Sequence, residues 1–383
     1  MDFDLTEEQE ALKKTVRRFM DTEIIPIVAE HEEQQEFPSR EIIKKLIPFG
    51  YIGGLLPEEA GGMGLDYISY FILIEELGRA WSSIRTVITT NNMILTNIYK
   101  HGTEEQKGRF LRPMLNGDKL AFFGLTEPNV GSDAASLESR ATLDGDDYIL
   151  NGTKTLITHG SKAEMGLVFA TIDRSKGAKG ICAFLVERDT CHYTARDIEK
   201  MGMRASVISE LHFEDCRVPR KNLLGQPGEG LKIALAGLNI GRCTVAFAVI
   251  GVAQACIDAS VKYAQERKQF GKVIGGFQLV QEMIAEIVME NEAARLLGLR
   301  AAHLLQKGLP CAKEAAMAKL FATEAALKIA SNAIQIHGGY GYTREFPVER
   351  YYRDIRHLTM AEGTSQIQKL IIGREVLGIS AFN

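Results

Sequence analysis

Apolar residues recur at helical spacing from the start of the chain. Leu12, Val16, Phe19 and Met20 fall on one face, behind a Thr6-Glu7-Glu8-Gln9 start in which the Thr6 hydroxyl can accept from the Gln9 amide. Ile24-Ile25-Pro26 and Gly61-Gly62-Met63-Gly64 mark breaks. A long helical stretch is predicted over 67–99, with an interruption at 79–83. Beyond residue 120 the period shortens. Residues 121–126, 148–150, 166–172, 181–187 and 210–213 form short apolar or alternating runs. Gly145-Asp146, Asn151-Gly152 and the glycines of 177–180 punctuate them, which predicts an antiparallel β unit with a hairpin turn and strand at 151–158. Helical spacing returns near Gly228, predicting helices over 229–266, 277–306, 311–337 and 363–378. The expected fold is α+β, ordered helical (1–118), β (119–226) and helical (227–383), without internal repeats.

Composition narrows the class. A chain of 383 residues with 45% hydrophobic and 25% charged residues reads as a soluble globular protein of two or three subdomains. A net charge of −4 without a basic arm argues against a general nucleic-acid binder. Cys182, Cys191, Cys216, Cys243, Cys256 and Cys311 are widely spaced and form no C-x-x-C pair. Reduced thiols are expected, not a disulfide or zinc framework, and no metal site is expected. Residues 1–4 open acidic and lack the features of a secretory or transit segment. No apolar stretch is read as reaching the ~20 residues that span a bilayer. The expectation is a cytoplasmic protein without a membrane span.

Four segments carry candidate chemistry, and each also has a plain structural reading. Thr126-Glu127-Pro128-Asn129-Val130-Gly131-Ser132-Asp133 offers backbone N–H and hydroxyl donors to a flavin edge or phosphate, or is a β-turn shaped by Pro and Gly. Arg267-Lys268-Gln269-Phe270-Gly271 offers the planar fork of Arg267 to a diphosphate, or is a solvated helix end. In Gln335-Ile336-His337-Gly338-Gly339-Tyr340-Gly341 the glycines allow close approach of a cofactor, or cap a helix. Ala361-Glu362-Gly363-Thr364-Ser365-Gln366 presents Glu362 as a general base, or as a first-turn carboxylate. No G-x-G-x-x-G opens a βαβ unit and there is no P-loop, which disfavours a nicotinamide Rossmann domain.

In this order the four segments resemble the acyl-CoA dehydrogenase family, and the likeness runs from the first helix to Asn383. The resemblance implies the acyl-CoA dehydrogenase fold: a helical N-terminal domain, a middle antiparallel β domain and a C-terminal four-helix bundle. It also implies FAD, an acyl-CoA substrate, an electron-transfer flavoprotein as electron acceptor and a homotetramer. Leu125, Thr126, Gly131 and Ser132 become flavin contacts, with Ser132 also near CoA. Ile157 and Thr158 match the family's flavin-facing strand end, whereas Leu156 replaces its Trp. Arg267 and Phe270 fall on the adenine and pyrophosphate side across a subunit boundary, joined by Gln278, Gln335, Gly338, Gly339, Thr364 and Gln366. Asn239, Arg242 and Gly363 fall on the substrate side.

The resemblance implies that Glu362 removes the α proton while the β hydride leaves on the other face. Charge on the thioester oxygen is then held by the Glu362 N–H and a flavin ribityl hydroxyl. Relatives that carry the base on another helix have it where this chain has Gly241, so Glu362 has no rival. The segment Ser82-Ser83-Ile84-Arg85-Thr86 resembles the glutaryl-CoA dehydrogenase branch, in which an Arg binds the free carboxylate of the substrate. Arg85, with Thr86, is therefore expected to do so here, unless it faces solvent or a neighbouring Glu at a helix kink. Decarboxylating members have Tyr where this chain has Ala361 and an acidic residue where it has Gly78. The expected substrate is a dicarboxylic acyl-CoA, glutaryl-CoA or a substituted succinyl-CoA such as benzylsuccinyl-CoA, oxidised without decarboxylation. Alternatives are a short-chain monocarboxylic dehydrogenase, a lyase such as a desulfinase, and a catalytically silent scaffold.

Overall fold

Thr6 caps the first helix with the reciprocal Thr6–Gln9 bonds that its sequence predicts. The computed structural model describes residues 4–381, and the expectations for residues 1–3 and Asn383 lie outside it. Six helices open the chain: α1 (Glu7–Phe19), α2 (Ile25–Gln34), α3 (Arg40–Leu46), α4 (Tyr67–Ala80), α5 (Ser82–His101) and α6 (Glu104–Leu115). The expected break at Ile24-Ile25-Pro26 is instead a π-helical turn, Met20–Ile24, that leads into α2 with Pro26 in its first turn. Pro there forfeits only an N–H that has no helical partner. Trp81, in extended conformation, separates α4 from α5 within the interruption expected at 79–83.

Strands follow: β1 (Ala121–Gly124), β2 (Arg140–Asp144), β3 (Asp147–Thr158), β4 (Met165–Thr171), β5 (Ile181–Glu187), β6 (Tyr193–Asp197), β7 (Ile208–Pro219) and β8 (Leu223–Leu224). The sheet order is β6-β7-β3-β2-β4-β5-β8, with β1 beside β4. It is mixed and not wholly antiparallel, because β1 and the start of β2 run parallel to β4. Gly145-Asp146 makes the β2–β3 hairpin. Asn151-Gly152 does not turn the chain; it lies within β3 at a register shift against β7. The Asn151 amide exchanges bonds with the backbone and carboxylate of Asp215, and a side chain at Gly152 would collide with Ser139. The motif is spent on a bulge.

The C-terminal helices are α7 (Gly230–Ala236), α8 (Leu238–Glu266), α9 (Gln278–Gln306), α10 (Ala312–His337), α11 (Val348–Arg356) and α12 (Ser365–Leu377). The single helix predicted over 229–266 is thus divided at Gly237. Helices α8, α9, α10 and α12 pack together, and α4 lies along α8. Gly78 and Gly251 let α4 and α8 meet backbone to backbone: a Cβ at Gly78 would fall 2.9 Å from Ala248 Cα, and one at Gly251 2.8 Å from Arg79 N.

Two compositional expectations are corrected. Cys191 and Cys216 are disulfide-bonded, with Cα atoms 4.9 Å apart, because β6 pairs with β7 and brings residues 25 apart in sequence together. The other four cysteines are free and buried. The stretch Gly230–Glu266 is long and apolar enough to cross a membrane, with a mean hydropathy of 1.8 over its best window. Here 61% of that window is buried within the protein.

Candidate active site

The loop between α11 and α12 places Glu362. Two successive residues are left-handed, Glu362 at φ 54° and Gly363 at φ 95°, a conformation that non-glycine residues adopt only when their surroundings hold them. The surroundings are specific. Lys319 Nζ in α10 donates to the Gly363 carbonyl at 2.9 Å, and Gln368 Nε2 in α12 donates to the same oxygen at 2.9 Å and to the Glu362 carbonyl at 3.3 Å. Thr364 caps α12, accepting from Ile367 N at 3.3 Å.

The half-buried Glu362 faces a cavity of about 50 Å³ lined in part by Tyr70, Thr89, Asn92, Ile240 and Gly241. A Cβ at Gly241 would overlap Glu362 Oε2. That oxygen is shielded from solvent and has no hydrogen-bond partner. Burial raises the Glu362 pKa above the ordinary value, only partly offset by the cations Arg85, Arg242 and Lys319. The plain reading of Glu362 as a solvated first-turn carboxylate is excluded by this setting.

Arg85 is buried in the first turn of α5 and does not face solvent. Its Nη2 meets Met203 Sδ at 3.8 Å, its Nε has no partner, and among the described residues it makes no ion pair. Burial pulls its pKa down to about 10, against the nearby charges of Glu362 and Asp354. The Thr86 hydroxyl donates to the Ser83 carbonyl of its own helix at 2.7 Å, which leaves its oxygen able to accept. Arg242 is buried in α8 with Nη1 on Asn239 Oδ1 at 3.0 Å and Nε unpartnered.

The Thr126 segment is both a turn and a braced platform. Glu127 and Val130 bond each other across Pro128-Asn129. The buried Glu127 carboxylate accepts from Lys154 Nζ at 2.6 Å and from the amides of Glu138 and Ser139 at 2.6 and 2.9 Å. Lys154 Nζ also donates to the Leu125 carbonyl at 3.3 Å, and Thr155 N to the Thr126 carbonyl at 3.0 Å. Beyond this brace Gly131 and Ser132 are exposed, while Leu125, Thr126 and Thr158 are half-buried. A second register shift, between Lys154 and Ile157, leaves Leu156 left-handed at φ 58° and 57% exposed while Ile157 turns into the core.

Arg267, Gly338 and Gly339 meet at a third place, an open cavity of about 510 Å³ also lined by Tyr263, Gln269 and His337. Tyr263 stacks on His337 at 4.3 Å, and the Arg267 guanidinium lies over the Tyr340 ring at 5.7 Å. His337 Nδ1 donates to the Ala333 carbonyl at 2.8 Å, its Nε2 is buried without a partner, and burial lowers its pKa. Gly338, at φ 60°, ends α10, so it caps the helix and opens the cavity at once. Phe270 is left-handed and 91% exposed, and Gln278, Gln335 and Gln366 are exposed. Sequence reasoning missed Lys319, Gln368 and the Lys154–Glu127 pair. A lysine among Ala315, Ala316, Ala318 and Ala322 on an otherwise apolar helix face was the available signal for Lys319.

Three domain models match in order: the acyl-CoA dehydrogenase N-terminal domain over residues 6–118, the middle domain over 122–216 and the C-terminal domain over 228–377. The chain belongs to the acyl-CoA dehydrogenase family, FAD-dependent oxidoreductases that act on CH–CH groups. The mouse (Mus musculus) mitochondrial short-chain specific acyl-CoA dehydrogenase is 44% identical over 376 residues, 98% of this chain and 91% of that protein. A chain solved in work on the electron transferring flavoprotein of Acidaminococcus fermentans is 42% identical with a TM-score of 0.95, over 98% of this chain and 100% of that one. A glutaryl-CoA dehydrogenase from Mycobacterium smegmatis in complex with FADH2 is 33% identical with a TM-score of 0.93, over 99% and 97%.

Proposed function

We propose that this chain oxidises a short-chain acyl-CoA thioester to the enoyl-CoA, with Glu362 as the base that removes the α proton. The observation that carries the reading is the setting of Glu362: a carboxylate made more basic by burial, with one oxygen unpartnered, facing a small cavity. A general base needs both the free lone pair and the raised proton affinity. The likeness to the mouse short-chain enzyme supports a small acyl group.

The residues fit FAD. The Arg267 cavity joins a cation suited to a diphosphate to a glycine pair and an unpartnered His337 nitrogen, and the braced 125–132 segment exposes Gly131 and Ser132, as β3 exposes Leu156. When bound, FAD supplies the acceptor for the β hydride. Arg267, Gly338 and Gly339 of one copy would hold its diphosphate side, across a subunit boundary from Thr126, Ser132 and Thr158 of another copy at its ring edge. The likeness to the chain from the Acidaminococcus fermentans work supports an electron-transfer flavoprotein as the electron acceptor. Exposed Leu279, Met289 and Phe321 on α9 and α10 favour association with further copies, as a homotetramer requires. A cytoplasmic setting remains part of the proposal.

Arg85 favours a second reading, in which the acyl group ends in a carboxylate. It is a buried cation without an ion-pair partner among the described residues, and such a charge gains most from a ligand anion. Ala361 in place of Tyr supports oxidation without decarboxylation, and Gly78 has its own packing reason against α8. Turnover of butyryl-, glutaryl- and benzylsuccinyl-CoA with an artificial acceptor, products weighed by mass, separates the readings. Butyryl-CoA as best substrate, unaffected in preference by Arg85→Ala, is expected of the first. Reaction of only the carboxylated thioesters, lost in that variant, would establish the second. Glu362→Gln is expected to keep its yellow flavin and lose turnover; near-native activity would refute both.

A further inference from the structure

We propose that Lys319 is a positioning residue for the catalytic base: from the middle of α10 its ammonium group clamps the Gly363 carbonyl and so holds Glu362 in the conformation that aims its carboxylate into the cavity. The inference rests on the reading of Glu362 as the base.

Lys319 is wholly buried, flanked by Ala315, Ala316, Ala318 and Ala322, all buried too. An ammonium group in such surroundings is costly and is retained only where a partner needs it. The hydrogen bond it makes goes to neither a carboxylate nor its own helix but to the Gly363 carbonyl, at 2.9 Å. That carbonyl belongs to the second of the two left-handed residues. Gln368 reaches the same oxygen from α12, so one peptide is gripped by donors from two helices. A left-handed Glu has little reason of its own to stay so. Without the Lys319 bond, Gln368 alone holds the loop, from one side, and the strained conformation that aims the carboxylate into the cavity is left with half its restraint.

The clamp has an electrostatic consequence. Charged and titratable groups face Glu362 from every side: Tyr70 on α4, Arg85 on α5, Arg242 and Cys243 on α8, and Lys319 on α10. Lys319 in turn feels Glu362, Glu324 on its own helix and Arg242. Its positive charge favours the carboxylate form of Glu362, so its removal shifts the pH at which the base becomes competent upward.

The test uses the flavin-loaded enzyme and compares Lys319→Met, which removes donor and charge, with Lys319→Gln, which restores a donor alone. Flavin reduction by butyryl-CoA is followed across pH, with thermal midpoints alongside. In the Met variant the expected result is at least a tenfold slower reduction with the acidic limb of the profile moved to higher pH. The Gln variant should recover much of the rate and keep the displaced limb. A purely structural lysine would lower the midpoint and leave rate and limb native, and that result overturns the proposal. Should the Met variant fail to fold, Lys319→Gln with Gln368→Leu decides: a slowed rate supports the clamp, and a native rate in both refutes it whatever the limb does. Glu362→Gln keeps the two ideas apart, since its retained turnover would remove the base itself whatever Lys319 does.

Discussion

Gly241→Ala isolates the geometry of the base, because its effects on folding and on chemistry have opposite origins. Gly241 lies in the first turn of α8, where alanine favours helix by about 0.5–1 kcal/mol over glycine. The new Cβ would overlap Glu362 Oε2 and stand 2.9 Å from its Cδ. Non-bonded carbons rest at about 3.5–4.0 Å, so the carboxylate must retreat by about 1 Å. Forcing its side chain off a rotamer costs about 0.5–1.5 kcal/mol, which offsets the helical gain. Stability should therefore change by less than about 1 kcal/mol. The chemistry has no such compensation, since a displacement of about 1 Å can slow a positioned reaction about 100-fold, or about 2.7 kcal/mol of barrier. Anaerobic stopped-flow reduction of the flavin by butyryl-CoA reads the barrier, and urea unfolding reads the stability. Native reduction kinetics in a folded, yellow variant would mean that Glu362 needs no room at Gly241 and is not held there for catalysis.

Lys154→Met should destabilise by about 3 kcal/mol, the lower end for breaking a buried ion pair, since Glu127 keeps its two amide donors. Urea unfolding checks this, and adding Glu127→Gln should recover part of the loss; a change below about 1 kcal/mol would contradict it. Asp354 predicts a slope in stability with pH. Burial, then the charge of Glu32, raises its pKa from 3.8 to about 7, so the folded state holds its proton more tightly than the unfolded one. The stability it contributes is present at low pH and declines as pH rises from about 4 to about 7. Asp354→Asn should flatten the decline in urea midpoints measured across that window, and an unaltered slope would rule out this group as its source.

Much of the fold was legible because the helices are long and their apolar faces regular. The helices predicted over 277–306 and 311–337 differ by a residue or so at their starts from α9 and α10. The β region was harder. Strands β2 and β6 are mostly exposed, with little apolar alternation to reveal them, and Asn151-Gly152 reads as a turn until its bond to Asp215 is seen. The disulfide depended on β6 pairing with β7, which no local spacing encodes. Glu362, Leu156 and Phe270 were all visible by motif, yet their shared property was not. Each is a non-glycine residue with positive φ: at Phe270 the two-residue turn between the paired Gln269 and Lys272 imposes it, whereas at Glu362 it is set by the tertiary contacts that hold the loop.

The two substrate readings differ in what Arg85 is for, and its surroundings give each a distinct signature. Arg85 lies within electrostatic reach of Glu362 and Asp354 but is paired with neither. If no substrate carboxylate reaches it, its remaining effect is on the base: a buried positive charge that favours the carboxylate form of Glu362. Removing it then raises the Glu362 pKa, because burial is left less opposed. The acidic limb of the rate profile moves to higher pH for every substrate alike, and the order of preference among thioesters is unchanged. If a substrate carboxylate pairs with Arg85, that anion offsets the cation in the complex, so its influence on Glu362 is weakest with the carboxylated substrate bound. Arg85→Leu should then cost the carboxylated substrate about 2–5 kcal/mol of transition-state binding, as loss of a buried charge partner does, while butyryl-CoA loses far less. The pH profiles of kcat for butyryl- and glutaryl-CoA on Arg85→Leu, which report the complex, and the ratio of their kcat/KM values, which reports preference, therefore separate an electrostatic role from a recognition role. Profiles and preferences identical to the native enzyme would refute both.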